Sequence, residues 1–210
     1  MESNPTLTRR AVLKNIALGV GAAALFGPAM EISGCGNVYQ DILNWVPVGE
    51  SAVNSILSVL SSNGVAIAAP VQAIVDIVMT GFTDLTQAIK DYQSITPPPA
   101  GAVAKIQAAF NAIVSNFGNF LQQISVPGGI VSIVVGLANV IFSTIQAFVN
   151  EVPAVATPTL RAAVAKFTVA GATHVVAAKK RSNRAFRRDF DSVLDAGVKF
   201  GAVVPKSAYL

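Results

Sequence analysis

Two runs of apolar residues at alternating four and three spacing, set on either side of Pro97-Pro98-Pro99, constrain this chain most. In the first, residues 70–93, Val71, Val75, Val78, Phe82, Leu85, Ile89 and Tyr92 recur along one side. Gln72, Asp76, Thr80, Thr83, Gln87 and Asp91 hold the other. The second run, residues 101–125, repeats the spacing with Val103, Ile106, Phe110, Ile113, Phe117, Phe120 and Ile124. This period places all the apolar residues on one face of an α-helix and suits knobs-into-holes packing. The prolines forbid one continuous helix. The expectation is an antiparallel hairpin of two helices joined by a short, stiff loop.

Residues 130–149 carry no charge. As a helix they would be about 30 Å long, enough to cross a bilayer core. Yet Ser132, Gly136, Asn139, Ser143, Gln146 and Asn150 line one stripe. A bundle helix needs such a stripe and a lipid-exposed span does not, so a bundle is the favoured reading and insertion the alternative. The charge-free region is wider still, running from residue 106 to residue 150. Faces that keep hydrogen-bonding residues while shedding charge usually meet something other than bulk water. A plain low-charge surface is the other reading.

Upstream, Tyr39, Ile42, Leu43 and Val46 share a helical face within residues 36–46, with Trp45 beside them. That face suits either a membrane headgroup layer or the first piece of a core. Pro47 to Gly49 is expected to break the chain before a helix at 50–62, carrying Val53, Ile56, Leu57 and Leu60. Asn63-Gly64 reads as a stop, and Pro70 as the first turn of the next helix. Downstream, Thr157-Pro158 reads as a helix start. Leu160, Val164 and Phe167 would give it an apolar face, with Gly171 dividing it from the next helix. Lys179, Lys180, Arg181, Arg184, Arg187 and Arg188 form a basic cluster beside a face of Phe186, Phe190, Val193 and Leu194. Gly197 reads as a C-cap, and the tail after it shows no clear structure. The expected fold is therefore all-α, an up-down bundle of about four main helices with a basic C-terminal helical region.

Charge separates the two ends of this domain. Residues 36–157 hold two cations and six anions, whereas residues 158–210 hold ten cations and three anions. Charged residues are only 12% of the chain and the mean hydropathy is +0.57. Both values place the protein between soluble and membrane-associated classes.

The first thirty-five residues have a different character. Arg9-Arg10 precedes Val12, Leu13 and Lys14, and residues 16–30 form a short, Gly- and Ala-rich run without charge. A positive segment followed by a short apolar one is the pattern of an export signal. The paired arginines resemble the twin-arginine signal of bacteria, with Val12 where that family usually has an aromatic residue or leucine. The resemblance implies recognition through Arg9, Arg10 and Lys14, and export of a chain folded beforehand. Ile32-Ser33-Gly34-Cys35 resembles the bacterial lipobox. That resemblance implies cleavage between Gly34 and Cys35 and acylation of Cys35, which is the only cysteine. Several acyl chains on one residue anchor a protein stably. Gly36, in the position where aspartate signals retention, implies the outer membrane rather than the inner. An idle thiol behind an ordinary cleavage site, or an uncleaved anchor, is the alternative. The expected divisions are thus a signal peptide at 1–34, a lipid-anchored lead at 35–49, a low-charge bundle at 50–152 and the basic region at 153–210.

Chemistry is sparse. His174 is the only histidine and has no cysteine or histidine partner in metal-ligand spacing. Asp76, Asp84 and Asp91 are spaced as a solvated stripe rather than a carboxylate pair. No strand pattern is evident that could host a phosphate-cradling loop. No metal and no cofactor is expected. The basic cluster suits a solvated face first, anionic lipid or a partner second, and nucleic acid least. The leading expectation is a non-catalytic, lipid-anchored envelope protein. It would bind a protein partner, itself or an apolar ligand through its low-charge helices. A membrane-active hairpin forming an oligomeric pore is the alternative, and an enzyme of unrecognised type the third.

Overall fold

The computed structural model describes residues 32–98, 100–152 and 157–210, with side chains from residue 38 onward. Asn37–Leu210 forms one compact unit, and residues up to Gly36 belong to another. The expected hairpin is present as α2 (Ala69–Ser94) and α3 (Ala102–Gln123). Gly81 lies against Ile113, and Asp84 to Asp91 further along α2 share a cleft with Lys105 to Ala112 earlier in α3, so the two helices run antiparallel. Most of each predicted seam is buried: Val75, Val78, Phe82, Leu85 and Ile89 on α2, and Ile106, Phe110, Ile113, Phe117 and Phe120 on α3, while Val71, Tyr92 and Val103 are half-buried. The helices approach closely at Gly81. A Cβ there would lie 2.8 Å from Ile113 Cγ1 and 3.3 Å from the Ile113 backbone nitrogen. Backbone cannot rotate away as a side chain can, so Gly81→Ala is expected to lower stability by about 1 kcal/mol net of its helix-propensity gain. Gly118, on α3, has open space around its Cβ position. Gly118→Ala is expected to raise stability by about 0.5–1 kcal/mol. Urea midpoints of the two variants should move in opposite directions.

The bundle is completed by α1 (Ile32–Ser62) and α4 (Val131–Glu151). The break expected at Pro47 to Gly49 does not occur, and α1 runs through it. Proline removes one backbone donor, but tertiary packing holds the turn. Val46 and Val48 are buried, and Ser51 Oγ donates to the Pro47 carbonyl at 2.9 Å. The Gly49 Cβ position lies only 2.9 Å from the Trp45 ring and 3.1 Å from Phe82, so glycine here admits the indole rather than ending the helix. Of the two expectations for residues 36–46, core packing holds: Tyr39, Ile42, Trp45 and Val46 are all buried. Tyr39 stacks near Tyr92 at 4.7 Å and Trp45 near Phe82 at 5.8 Å, which sets α1 antiparallel to α2. Trp45 also meets Phe148 of α4 at 5.5 Å.

Asn63-Gly64 ends α1 as expected. Gly64 is left-handed (φ 78°), its N–H donates to Ser61 and that of Val65 to Leu60. These two bonds make a Schellman cap. The helix α4 occupies the centre of the fold. Gly128–Glu151 is long enough to cross a membrane, with a mean hydropathy of 2.0 over its most apolar window, and 61% of that window is buried by the rest of the chain.

The C-terminal third departs from expectation. A short α5 (Pro158–Val164), capped by Thr157 Oγ1 accepting from Leu160 N, leads into a β-hairpin rather than a second helix. Strand β1 (Lys166–Val169) pairs antiparallel with β2 (Ala172–Val175), Phe167 opposite His174. Ala170 and Gly171 both have positive φ, the primed turn that matches strand twist. Phe167 and Val169 point inward while Lys166 and Thr168 are less buried. That period of two was the strand signal in the sequence. Helix α6 (Asn183–Lys199) follows, capped by Ser182. Gly197 is not its cap. It is buried inside α6, its Cβ position falling on the Ile133 side chain of α4. The cap is Gly201 (φ 86°), with Gly201 N–H donating to Val198 and Ala202 N–H to Gly197. The tail is also ordered. The Asn63 side chain pairs with both backbone groups of Val203, Tyr209 Oη donates to Asp195, and Leu210 N–H donates to Asp191.

Candidate functional site

The segment from Val176 to α6 lies across α4, and its attachment explains the polar stripe there. Gly136 receives Val193, whose Cγ1 is 2.7 Å from the Cβ position. Ser143 of the stripe and its neighbour Thr144, both buried, receive Arg181. Expected on the surface, Arg181 has a side chain only 5% exposed. Its Nη1 donates to Ser143 Oγ at 2.7 Å and Thr144 Oγ1 at 3.1 Å, and its Nε donates to Asp189 Oδ2 at 3.0 Å. The Lys179 N–H adds a bond to the Ser143 carbonyl at 3.0 Å. Part of the low-charge face therefore meets the chain's own C-terminal segment.

Asp189 organises the remaining cations. Lys179 Nζ lies 2.7 Å from one oxygen, and Arg188 Nη2 3.1 Å from the other. The Lys179 hydrogen bond above all, with those of Arg181 and Arg188, holds the Asp189 carboxyl well below the usual carboxylate range against the opposing effect of burial. Lys180 pairs with Glu151 at 2.9 Å, which pushes its ammonium upward. Thus Lys179, Lys180, Arg181 and Arg188 are in ion pairs. Arg184 and Arg187 are exposed, and neither forms an ion pair among the described residues.

Beside this segment, a groove of about 660 Å³ opens between α4 and the β-hairpin. Val131, Val135, Gly136, Phe167 and Val175 form its apolar lining, with Ser132, Asn139 and His174 as polar points. Its lining holds no charged residue. Val175 is 86% exposed, and among the described residues β2 pairs only with β1, leaving its second edge open. A ladder of rings fixes the hairpin here: Phe117 on Phe142 at 5.2 Å, Phe142 on Phe167 at 5.1 Å, and Phe167 on His174 at 5.4 Å. His174 closes the ladder at the groove, with its Nε2 unpartnered.

Comparison with protein-family models, curated proteins and solved structures gives no match.

The remaining expected site residues are distributed as follows. Arg9, Arg10 and Lys14 lie outside the described residues, as do the side chains of Gly34 and Cys35, although their backbone is in α1. Among the described residues, no three His, Cys, Asp or Glu side chains gather as a metal site. Asp76 and Asp91 accept hydrogen bonds from Gln72 and Gln87 on their own helix. Asp189 and the groove wall at Val175 were not anticipated. An acid directly after six closely spaced cations, and a Thr-His-Val run beyond a turn glycine, were the available signals.

Proposed function

We propose that the chain is a non-catalytic, lipid-anchored protein of the bacterial envelope, exported by the twin-arginine route and held by Cys35. Its helical domain binds an extended, low-charge segment of a partner protein. One observation carries the binding reading: the uncharged groove between α4 and the β-hairpin, walled by a strand with an unpaired edge. An extended segment can add its backbone to such an edge and place alternate side chains in the groove. The low charge of α4 fits this role, because desolvating charge is the main cost of forming such a contact.

Val175→Asp tests the reading. The side chain is solvent-exposed, so the fold should keep its thermal midpoint. A carboxylate on the groove wall would have to be buried unpaired against a bound segment, and a loss of about ten- to a hundredfold in affinity is expected. Co-purification from detergent-solubilised envelope reads it. If the same partner travels undiminished with the variant, this groove is not the binding site.

Membrane insertion of α4 is the second reading, and its length and hydropathy are what favour it. Burial beneath α6 speaks for the core role instead. If a form lacking residues 1–35 still needs detergent for extraction, the second reading gains over the first.

A further inference from the structure

We propose that the exposed cations at the start of α6 seat this domain on anionic phosphate headgroups of the membrane that holds Cys35, an inference that rests on the acylation reading above. Arg184 and Arg187 have no ion-pair partner among the described residues, and both are exposed. Arg184, Arg187 and Arg188 stand three and four residues apart, so they project from one side of the helix. The other side is fixed in the core by Phe186, Phe190 and Leu194. The Asp189 ion pairs and the Ser182 cap hold this turn in place, so little side-chain support has to be ordered on contact.

Placement is the second observation. Asn183 Nδ2 donates to the Asn44 carbonyl at 2.8 Å, and Asp41 and Asn44 share a cleft of about 450 Å³ with Lys180 and Arg184. The cations thus lie beside Asp41 and Asn44 of α1. Cys35 precedes Asp41 by six residues, a reach of at most about 21 Å even fully extended. An acyl anchor on Cys35 would keep this face at the bilayer surface, where the tether greatly raises its effective concentration. Anions bound the patch. Asp41 and Glu151 are answered by Lys180, and Asp191 and Asp195 lie one and two turns further along α6, tied to Leu210 and Tyr209. The contact is therefore confined to the beginning of α6.

The full-length chain carrying Cys35→Ser removes acylation and leaves the cations intact. It is expected to sediment with vesicles of phosphatidylglycerol mixed with phosphatidylcholine in preference to phosphatidylcholine alone. Each cation near an anionic surface is worth about fivefold in partitioning, so adding Arg184→Ala and Arg187→Ala should lower that preference roughly 25-fold. Arg184→Lys with Arg187→Lys should retain most of it, because a headgroup layer needs charge more than a guanidinium fork. Equal partitioning of the alanine variant overturns the proposal. So does a loss of binding to a nucleic-acid oligomer with vesicle partitioning unchanged. Acylation is read separately, by lipid mass on Cys35 in the unsubstituted protein. Its absence would sink the anchor while leaving the vesicle comparison standing.

Discussion

Trp45→Ala is expected to lower the unfolding free energy by about 3–5 kcal/mol, the range for removing a large aromatic side chain from a core. Trp45 is 1% exposed. Its ring meets Phe82 of α2, Phe148 of α4 and Phe186 of α6, so one side chain joins α1 to three other helices. Those rings cannot close the space without moving the helices that carry them. At about 2–4 °C per kcal/mol for a domain of this size, the thermal midpoint should fall by roughly 6–20 °C. Trp45→Phe separates ring packing from hydrogen bonding. The indole nitrogen has no hydrogen-bond partner among the described residues, so phenylalanine removes an unsatisfied donor along with some volume and should cost much less. If the alanine variant unfolded at the midpoint of the parent, α1 would not be part of this core.

Arg181→Ala is the second large effect, at about 3–5 kcal/mol. It leaves Ser143 and Thr144 buried without the guanidinium and removes one of the cations around Asp189. Arg181→Lys should restore only part of the loss, because an ammonium cannot reproduce a fork spanning two hydroxyls and a carboxylate. Asp189→Asn supplies the pH test. The Asp189 carboxyl titrates below its unfolded value, so its stabilisation is fully present above the unfolded pKa and is lost as pH falls through the folded one. The stability gap between parent and Asp189→Asn should therefore be constant above about pH 5 and narrow steadily below about pH 4. Denaturant titrations across that range check it. A gap that widened on acidification would mean that the carboxylate is not the stabilising form.

What could be read in advance follows the range of the forces involved. The α2–α3 hairpin was legible because its seam is repeated every turn, from Val75 to Ile89 and from Ile106 to Phe120. Asn63-Gly64 and Thr157-Pro158 were legible because caps are local chemistry. Pro47 misled because its local preference to stop a helix is outweighed by the burial of Trp45, Val46 and Val48 around it. The hairpin was hidden by its brevity, since four residues of period two are easily absorbed into a helical reading. Arg181 illustrates the deeper limit. A run of cations reads alike whether solvated or buried, and its hydroxyl partners on α4 lie 38 and 37 residues earlier. The adjacent pair Ser143-Thr144, set in an uncharged helix, was a hint that a polar group had to arrive there from elsewhere.

The order in which the chain leaves the ribosome gives that arrangement a consequence in time. The central helix α4 ends at Glu151, and Arg181 follows thirty residues later. At synthesis rates of about 5–20 residues per second, roughly 2–6 seconds pass between the two. The tie from Leu210 N–H to Asp191 forms later still, after Arg181 is already in place. During that interval α4 exists without the part of its cover that α6 supplies, and Ser143 and Thr144 without their partner. The nascent chain is then most in need of a chaperone, and a premature stop anywhere after Glu151 and before α6 would release a product whose α4 lacks the α6 side of its cover.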